Sequence, residues 1–229
     1  HVDHSGMVPW VTSRYNTQVL ATDPTVTVAK LLATDSNKIC GIEGYPIPYT
    51  KGDIREMMDY FVTNDFNKTS EHNGMAVRMH RAGHIPGATM YEVYDNRTVL
   101  FTGDINTTDT MLVKGADPVD AEVLFLESTY AGREHGDRNV LISDFIDSIL
   151  EVVAGGGQVL IPSFAVGRTQ EVLLMLRQQG MNVWLDGMGK TVTKMYTKEK
   201  PMYVRDPGVL KSALKSVKVV RSMNHRKRA

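Results

Sequence analysis

The segment His1-Val2-Asp3-His4-Ser5-Gly6 places two imidazoles and a carboxylate within four residues. Three such side chains so close in sequence cannot all turn into one core. They read as a compact set of metal-ligating groups on a tight loop. Imidazole nitrogen and carboxylate oxygen suit a borderline cation such as zinc, and an open coordination position would make such a site hydrolytic. A ligand motif at the first residue, without an initiator Met, leads to the expectation that the chain is a stretch of a longer protein.

Two further candidate ligands follow. His84 lies in Arg81-Ala82-Gly83-His84-Ile85-Pro86-Gly87-Ala88, where flanking glycines and a proline hold it by backbone geometry rather than by packing. Taken alone, it is either a ligand or a hydrogen-bonded structural histidine. Asp104 leaves the run Val99-Leu100-Phe101-Thr102 through Gly103. Taken alone, it either caps a turn or bridges two metals.

In this order the residues resemble the metallo-β-lactamase superfamily, whose pattern is His-x-His-x-Asp-His, then a lone His, then an Asp at a strand end. His1 matches the second histidine of the opening motif, and Asp3 and His4 match its last two positions. His84 matches the third motif and Asp104 the fourth. The resemblance implies two Zn2+ ions, one held by His1 and His84 and the other by Asp3 and His4, with Asp104 bridging. It also implies a metal-bound hydroxide as nucleophile and a catalytic part for Asp3. In sites of this kind two ions about 3.5–4 Å apart share the hydroxide and stabilise charge on the reacting phosphate. The first family histidine would fall upstream of His1, and another downstream of Ala229.

Two later segments narrow the resemblance to the β-CASP group. Glu127-Ser128-Thr129-Tyr130-Ala131-Gly132 resembles its Glu-Ser-Thr-Tyr-Gly signature, with Ala131 inserted, a departure expected to perturb only the loop. Ile161-Pro162-Ser163-Phe164-Ala165-Val166-Gly167-Arg168-Thr169-Gln170-Glu171 resembles that group's phosphate-side strand-to-helix turn. The implied fold is α/β: a partial metallo-β-lactamase αββα sandwich over 1–131, lacking its N-terminal strands, then part of a β-CASP parallel-sheet α/β domain over 132–229.

By the same resemblance, Glu127 would pair with a histidine beyond the chain to protonate the leaving oxygen. Ser163, Gly167 and Arg168 would meet RNA phosphate where a helix begins, since helix N-termini favour anions. From its residue type alone, Arg168 is equally an ion-pair partner. The implied activity is zinc-dependent hydrolysis of single-stranded RNA in mRNA 3′-end processing or RNA decay. A DNA nuclease of the repair branch and a non-catalytic RNA-binding subunit stay open, as does assembly as a homodimer or within a processing complex. With ligands outside the chain, residues 1–229 alone are expected to be inactive.

The elements that must carry these residues are partly readable. A strand is expected at 17–22, then a helix from Pro24 to about Asp35. Thr50 caps a predicted helix from Lys51 to about Asn64. Strands are expected at 75–80, 89–94, 97–102 and 122–126, with Asp95-Asn96 turning a hairpin. Beyond residues 130–137 the pattern becomes helix 138–154, a fully apolar strand 158–162, helix 168–179, strand 182–185, helix 188–197 and a strand near 217–221. That alternation argues for a parallel sheet.

Composition sets looser bounds. The 229 residues, 42% hydrophobic, suit one or two domains with a sizeable core. Basic and acidic residues balance at 26 each, which does not announce a polyanion partner, although a local basic groove can hide in such a balance. The basic run Lys211, Lys215, Lys218, Arg221, Arg226, Lys227 and Arg228 is by default a solvated face and otherwise borders an RNA channel. His72, His80 and His225 read as structural or surface residues, His135 as a hinge or a substrate contact, and the 13 methionines as core filling. The single Cys40 excludes an intrachain disulfide, and no run of about 18 apolar residues appears. Cytoplasm is the expected location and no membrane the expected partner.

Overall fold

The computed structural model describes residues 1–177, 179–222 and 226. His225, Lys227 and Arg228 lie outside the described residues. The architecture is mixed α/β, in two compact units. One comprises His1–Asp109 with Val113–Leu126, the other Thr110–Leu112 with Glu127–Ala229. No described helix is long and apolar enough to cross a membrane.

In the first unit, helix α1 (Val2–Ser5) and α2 (Val8–Tyr15) precede strand β1 (Val19–Ala21). The opening motif is thus a single helical turn rather than the expected tight loop, with the amides of His4 and Ser5 on the carbonyl of His1 at 3.1 and 3.0 Å. Helix α3 (Asp23–Glu43) starts with proline in its first turn, as expected, but runs eight residues past Asp35. Asn37 explains the extension: it is buried and its amide donates to the Tyr49 carbonyl at 2.7 Å, tying the last turns to the next loop. The helix stops at Gly44, in the left-handed region at φ 73°.

Thr50 caps α4 (Lys51–Glu56) through a capping box, accepting from the Asp53 amide while Asp53 accepts from the Thr50 amide. The helix does not continue to Asn64. It tightens into a 3-10 turn at Met57–Tyr60, and Phe61–Thr63 forms strand β2, parallel to β1. An aromatic followed by two β-branched residues fits a strand, and pairing with Val19–Ala21 overrides the helical pattern. Ala33, Tyr49, Ile54 and Met57 close the core beneath these helices.

A five-stranded sheet follows in the order β3 (Thr69–His72), β4 (Met75–Arg81), β5 (Thr89–Tyr94), β6 (Thr98–Phe101), β7 (Val123–Phe125). It is antiparallel except for the parallel β6–β7 pair. The Asp95-Asn96 turn joins β5 to β6, with Tyr94 opposite Thr98. Strand β3 was absent from the sequence reading. Its signal is Asn73-Gly74, with φ of 51° and 80°, the two-residue turn that favours a hairpin. Ala82, Met90 and Leu100 pack the core under the sheet.

The second unit holds α5 (Arg138–Ala154), α6 (Arg168–Leu176), β8 (Trp184–Leu185), α7 (Gly189–Tyr196), α8 (Pro207–Ser216) and β9 (Lys218–Val219). Strands β8 and β9 pair in parallel. Helix α8 was not foreseen, although Asp206 capping the Val209 amide and Pro207 at the first turn mark its start. The predicted buried strand 158–162 is not formed. A fully apolar strand needs neighbours on both sides, and among the described residues nothing pairs with this segment; Leu160 is 90% exposed.

Candidate metal centre

Four predicted ligands meet, all within the first unit. The helical turn α1 puts His1 and His4 three residues apart, hence on one side, while Asp3 between them turns away. The imidazole rings of His1 and His4 sit edge to face at 4.8 Å, and those of His1 and His84 at 5.5 Å. All three point at one carboxylate. His1 Nε2 lies 2.7 Å from Asp104 Oδ2, His4 Nε2 3.2 Å from Oδ1, and His84 Nε2 3.6 Å from Oδ2. The cluster is neither dry nor open: side-chain exposures run from 26% at His1 to 51% at His4. Asp3 does not join it. That side chain is 79% exposed and approaches only His1 Nδ1, at 3.5 Å.

Two loops deliver His84 and Asp104, and they are welded together. Asp104 follows β6 through Thr102, which is buried and donates its amide to the Phe125 carbonyl at 3.1 Å. The Asn106 amide donates to Ala82 O at 2.9 Å, and its side-chain Nδ2 donates to Gly83 O and Thr108 O. The Ala116 amide donates to Asn106 O at 2.8 Å. Gly83 sits inside this weave at φ 73°, where an added Cβ would stand 2.2 Å from Asn106 O and 2.5 Å from Ala116 N. Only glycine fits, and its conformation aims the next residue, His84, at the carboxylate. The expectation that a flanking glycine holds His84 by backbone geometry is met at Gly83, whereas Asn106 was missed as a positioning residue; its signal is an amide two places after Asp104.

Ligand atoms of His1, His84 and Asp104 all lie within 4.8 Å of one another. Imidazole nitrogens gathered around a carboxylate are the donor set that suits a borderline divalent cation, so the residues fit a metal of the zinc kind.

The remaining predicted residues belong to the second unit. Glu127 accepts from the Thr129 amide at 2.9 Å, shaping the turn of its own motif. Ser163 and Arg168 are exposed, and Arg168 makes no salt bridge among the described residues. Gly167 is buried at the start of α6. The segment before it is a mostly exposed stretch without regular structure, not the buried strand expected to lead into this turn.

The end of the same motif is structural. Gln170 is fully buried; its oxygen accepts from the Gly167 amide, and its nitrogen donates to Ala165 O and Thr193 Oγ1 at 2.9 Å each. Glu171, also buried, accepts from the Met111 and Leu112 amides at 2.9 Å and from Arg138 at 2.5 Å. These two side chains fix the helix start that presents Gly167 and Arg168.

No family model matches the chain. It is similar to a probable RNase MJ4 of Methanocaldococcus jannaschii, at 35% identity over 238 residues, spanning 100% of this chain and 55% of that protein. It is also similar to RNase aCSPSF2 of Saccharolobus solfataricus, at 35% over 236 residues, spanning 100% of this chain and 47% of that one. Cleavage and polyadenylation specificity factor subunit 3-I of Arabidopsis thaliana is 33% identical over 187 residues, 80% of this chain and 27% of that protein. The chain thus spans about half the length, or less, of the curated relatives it matches.

Proposed function

The chain belongs to the β-CASP metallo-β-lactamase family of these ribonucleases, and from that premise we propose that its protein is a zinc-dependent nuclease hydrolysing phosphodiester bonds of single-stranded RNA. The observation that carries the reading is the convergence of His1, His4 and His84, from two separate segments, on the carboxylate of Asp104. The relatives' printed names, two of them ribonucleases and one a cleavage factor subunit, point the same way.

On this reading residues 1–131 are part of a metallo-β-lactamase sandwich and residues 132–229 part of a β-CASP domain. His1 and His84 would hold one ion; a second would fall to His4 and to Asp3, whose side chain does not face the cluster in this structure, and Asp104 would serve both. When bound, the zinc pair would supply a water acidic enough to ionise near neutral pH and positive charge against the phosphate oxygens. Asp104 orients both sites because each of its oxygens already faces a different imidazole, His1 on one and His4 on the other. Glu127 pairs with the imidazole that protonates the leaving oxygen, and Ser163, Gly167 and Arg168 hold a substrate phosphate. The setting is mRNA 3′-end processing or RNA decay in the cytoplasm, with processing-complex subunits or a second copy as partners.

The test uses the full-length protein on a labelled single-stranded RNA, with and without a chelator. Cleavage should stop on chelation, and Asp104→Ala should abolish it while RNA binding persists. Cleavage indifferent to the chelator, or undiminished in Asp104→Ala, overturns the proposal. A matched DNA oligonucleotide cut at the same rate would transfer the substrate to the repair branch.

A further inference from the structure

The balanced net charge conceals a steep asymmetry. Residues 186–229 carry 12 basic and 3 acidic side chains, whereas residues 1–185 carry 14 and 23. The last fifth of the sequence is therefore at +9 and the rest at −9. We infer that the surface of α7, α8 and β9 is a sequence-independent docking track for the phosphate backbone of single-stranded RNA, separate in residues from the metal centre. This rests on the nuclease reading for the identity of the polyanion, not for its charge.

Local structure builds the track. Helix α8 buries Leu210 and Ala213 and turns Lys211 and Lys215, one helical turn apart, to solvent. Lys218 follows on β9, exposed, with its ammonium 5.3 Å from the centre of the Trp184 ring. Helix α7 packs against α8, buries Val192, Thr193 and Tyr196, and exposes Lys194, with Lys198 exposed one turn beyond. Lys190 donates to the Val220 carbonyl at 2.9 Å, which ties the start of α7 to the end of β9 beside the exposed Arg221. These like charges lie on elements that the fold packs together, so a polyanion that neutralises them gains counterion release.

Two features select nucleic acid over a protein partner. Among the described residues after Phe164, no large hydrophobic side chain is exposed, so the apolar anchors of a protein interface are missing. The charges are mostly lysines, compact point charges that meet phosphates without the planar fork that reads base edges. Trp184, beside Lys218, adds an aromatic ring at the same edge.

The test measures binding of a fluorescent single-stranded RNA to the intact protein in chelator, so that cleavage does not intervene, across a salt series. Lys211→Gln, Lys215→Gln and Lys218→Gln are combined in one variant, and Lys30→Gln, Lys38→Gln and Lys51→Gln in a control. Each phosphate contact contributes about 0.7 to the slope of log affinity against log salt for single strands, so the first variant should lose about 2 from that slope. Between about 50 and about 200 mM salt its affinity should fall about 20-fold less than that of the unaltered protein, which is the same slope difference expressed as a ratio. The control should keep the full slope. An unchanged slope in the first variant, or equal losses in both, overturns the track even if zinc-dependent cleavage is intact. Preferential capture of an acidic polypeptide over RNA at equal charge also overturns it. Conversely, a protein that binds RNA with this slope but never cleaves it leaves the track standing and removes the nuclease.

Discussion

Gly83→Ala is the substitution that probes most sharply how the site is held. Gly83 and Gly44 share the same φ of 73°, but nothing lies within 4 Å of a Cβ at Gly44, whereas at Gly83 three backbone atoms lie within 2.8 Å. Alanine at Gly44 therefore suffers only the left-handed backbone, roughly 1–2 kcal/mol. At Gly83 the same dihedral cost is joined by a clash with Asn106 O and Ala116 N, the two atoms that hydrogen-bond each other at 2.8 Å. Forcing them apart adds about 1–3 kcal/mol of overpacking and about 1 kcal/mol for the lost hydrogen bond. The expected totals are about 3–6 kcal/mol for Gly83→Ala against about 1–2 kcal/mol for Gly44→Ala, a large share of a stability of about 5–15 kcal/mol. Urea unfolding followed at Trp10 in a Trp184→Phe background reads the first unit by itself. Zinc titration should show a parallel weakening in Gly83→Ala alone, since His84 is displaced. Equal stabilities for the two variants, within about 0.5 kcal/mol, would refute the crowding argument.

Two further predictions concern buried carboxylates outside the cluster. Glu171→Gln removes the charge that Arg138 and two backbone amides share, and should cost about 3 kcal/mol, read as a lower urea midpoint at Trp184. A cost below about 1 kcal/mol would mean that the network is not cooperative. Glu92 is buried beside His80 at 2.7 Å. Burial alone would raise its pKa, but hydrogen bonds from Tyr94 and His80 and the charges of His80 and Arg78 together hold it below the usual glutamate value. More acidic folded than unfolded, Glu92 contributes stability above about pH 4.3 that is lost as pH falls through the lower folded value. Glu92→Gln should therefore flatten the acid limb of the stability curve, and an acid limb identical to the unaltered protein's would contradict this.

The legible parts were those governed by local chemistry. Thr50, Pro24 and the Asp95-Asn96 turn all declare themselves within a few residues, and the structure has the cap, the helix start and the hairpin where those residues stand. The ligand side chains stood out as a set, through the order in which they resemble a known metal-binding pattern, whereas His84 and Asp104 taken singly were equally open to a structural reading. What stayed hidden depends on distant partners. Phe61–Thr63 becomes a strand only because Val19–Ala21 lies beside it, and α3 outlasts its sequence pattern because Asn37 reaches Tyr49. Val159-Leu160-Ile161 has strand composition but no neighbouring strand among the described residues, so composition alone misleads there. The motif ending in Gln170-Glu171 was read for its chemistry, whereas its buried pair serves to fix a helix start.

Metal binding at one locus is the premise of the chemistry. A crystal of the zinc-loaded full-length protein, with anomalous differences collected at the zinc edge, addresses it directly. A peak is expected about 2.0–2.2 Å from imidazole nitrogens of His1 and His84 and from an Asp104 oxygen, with a second peak on the His4 side of the same carboxylate. A peak elsewhere in the chain, or a bound zinc that leaves Asp104 uncoordinated, would contradict it.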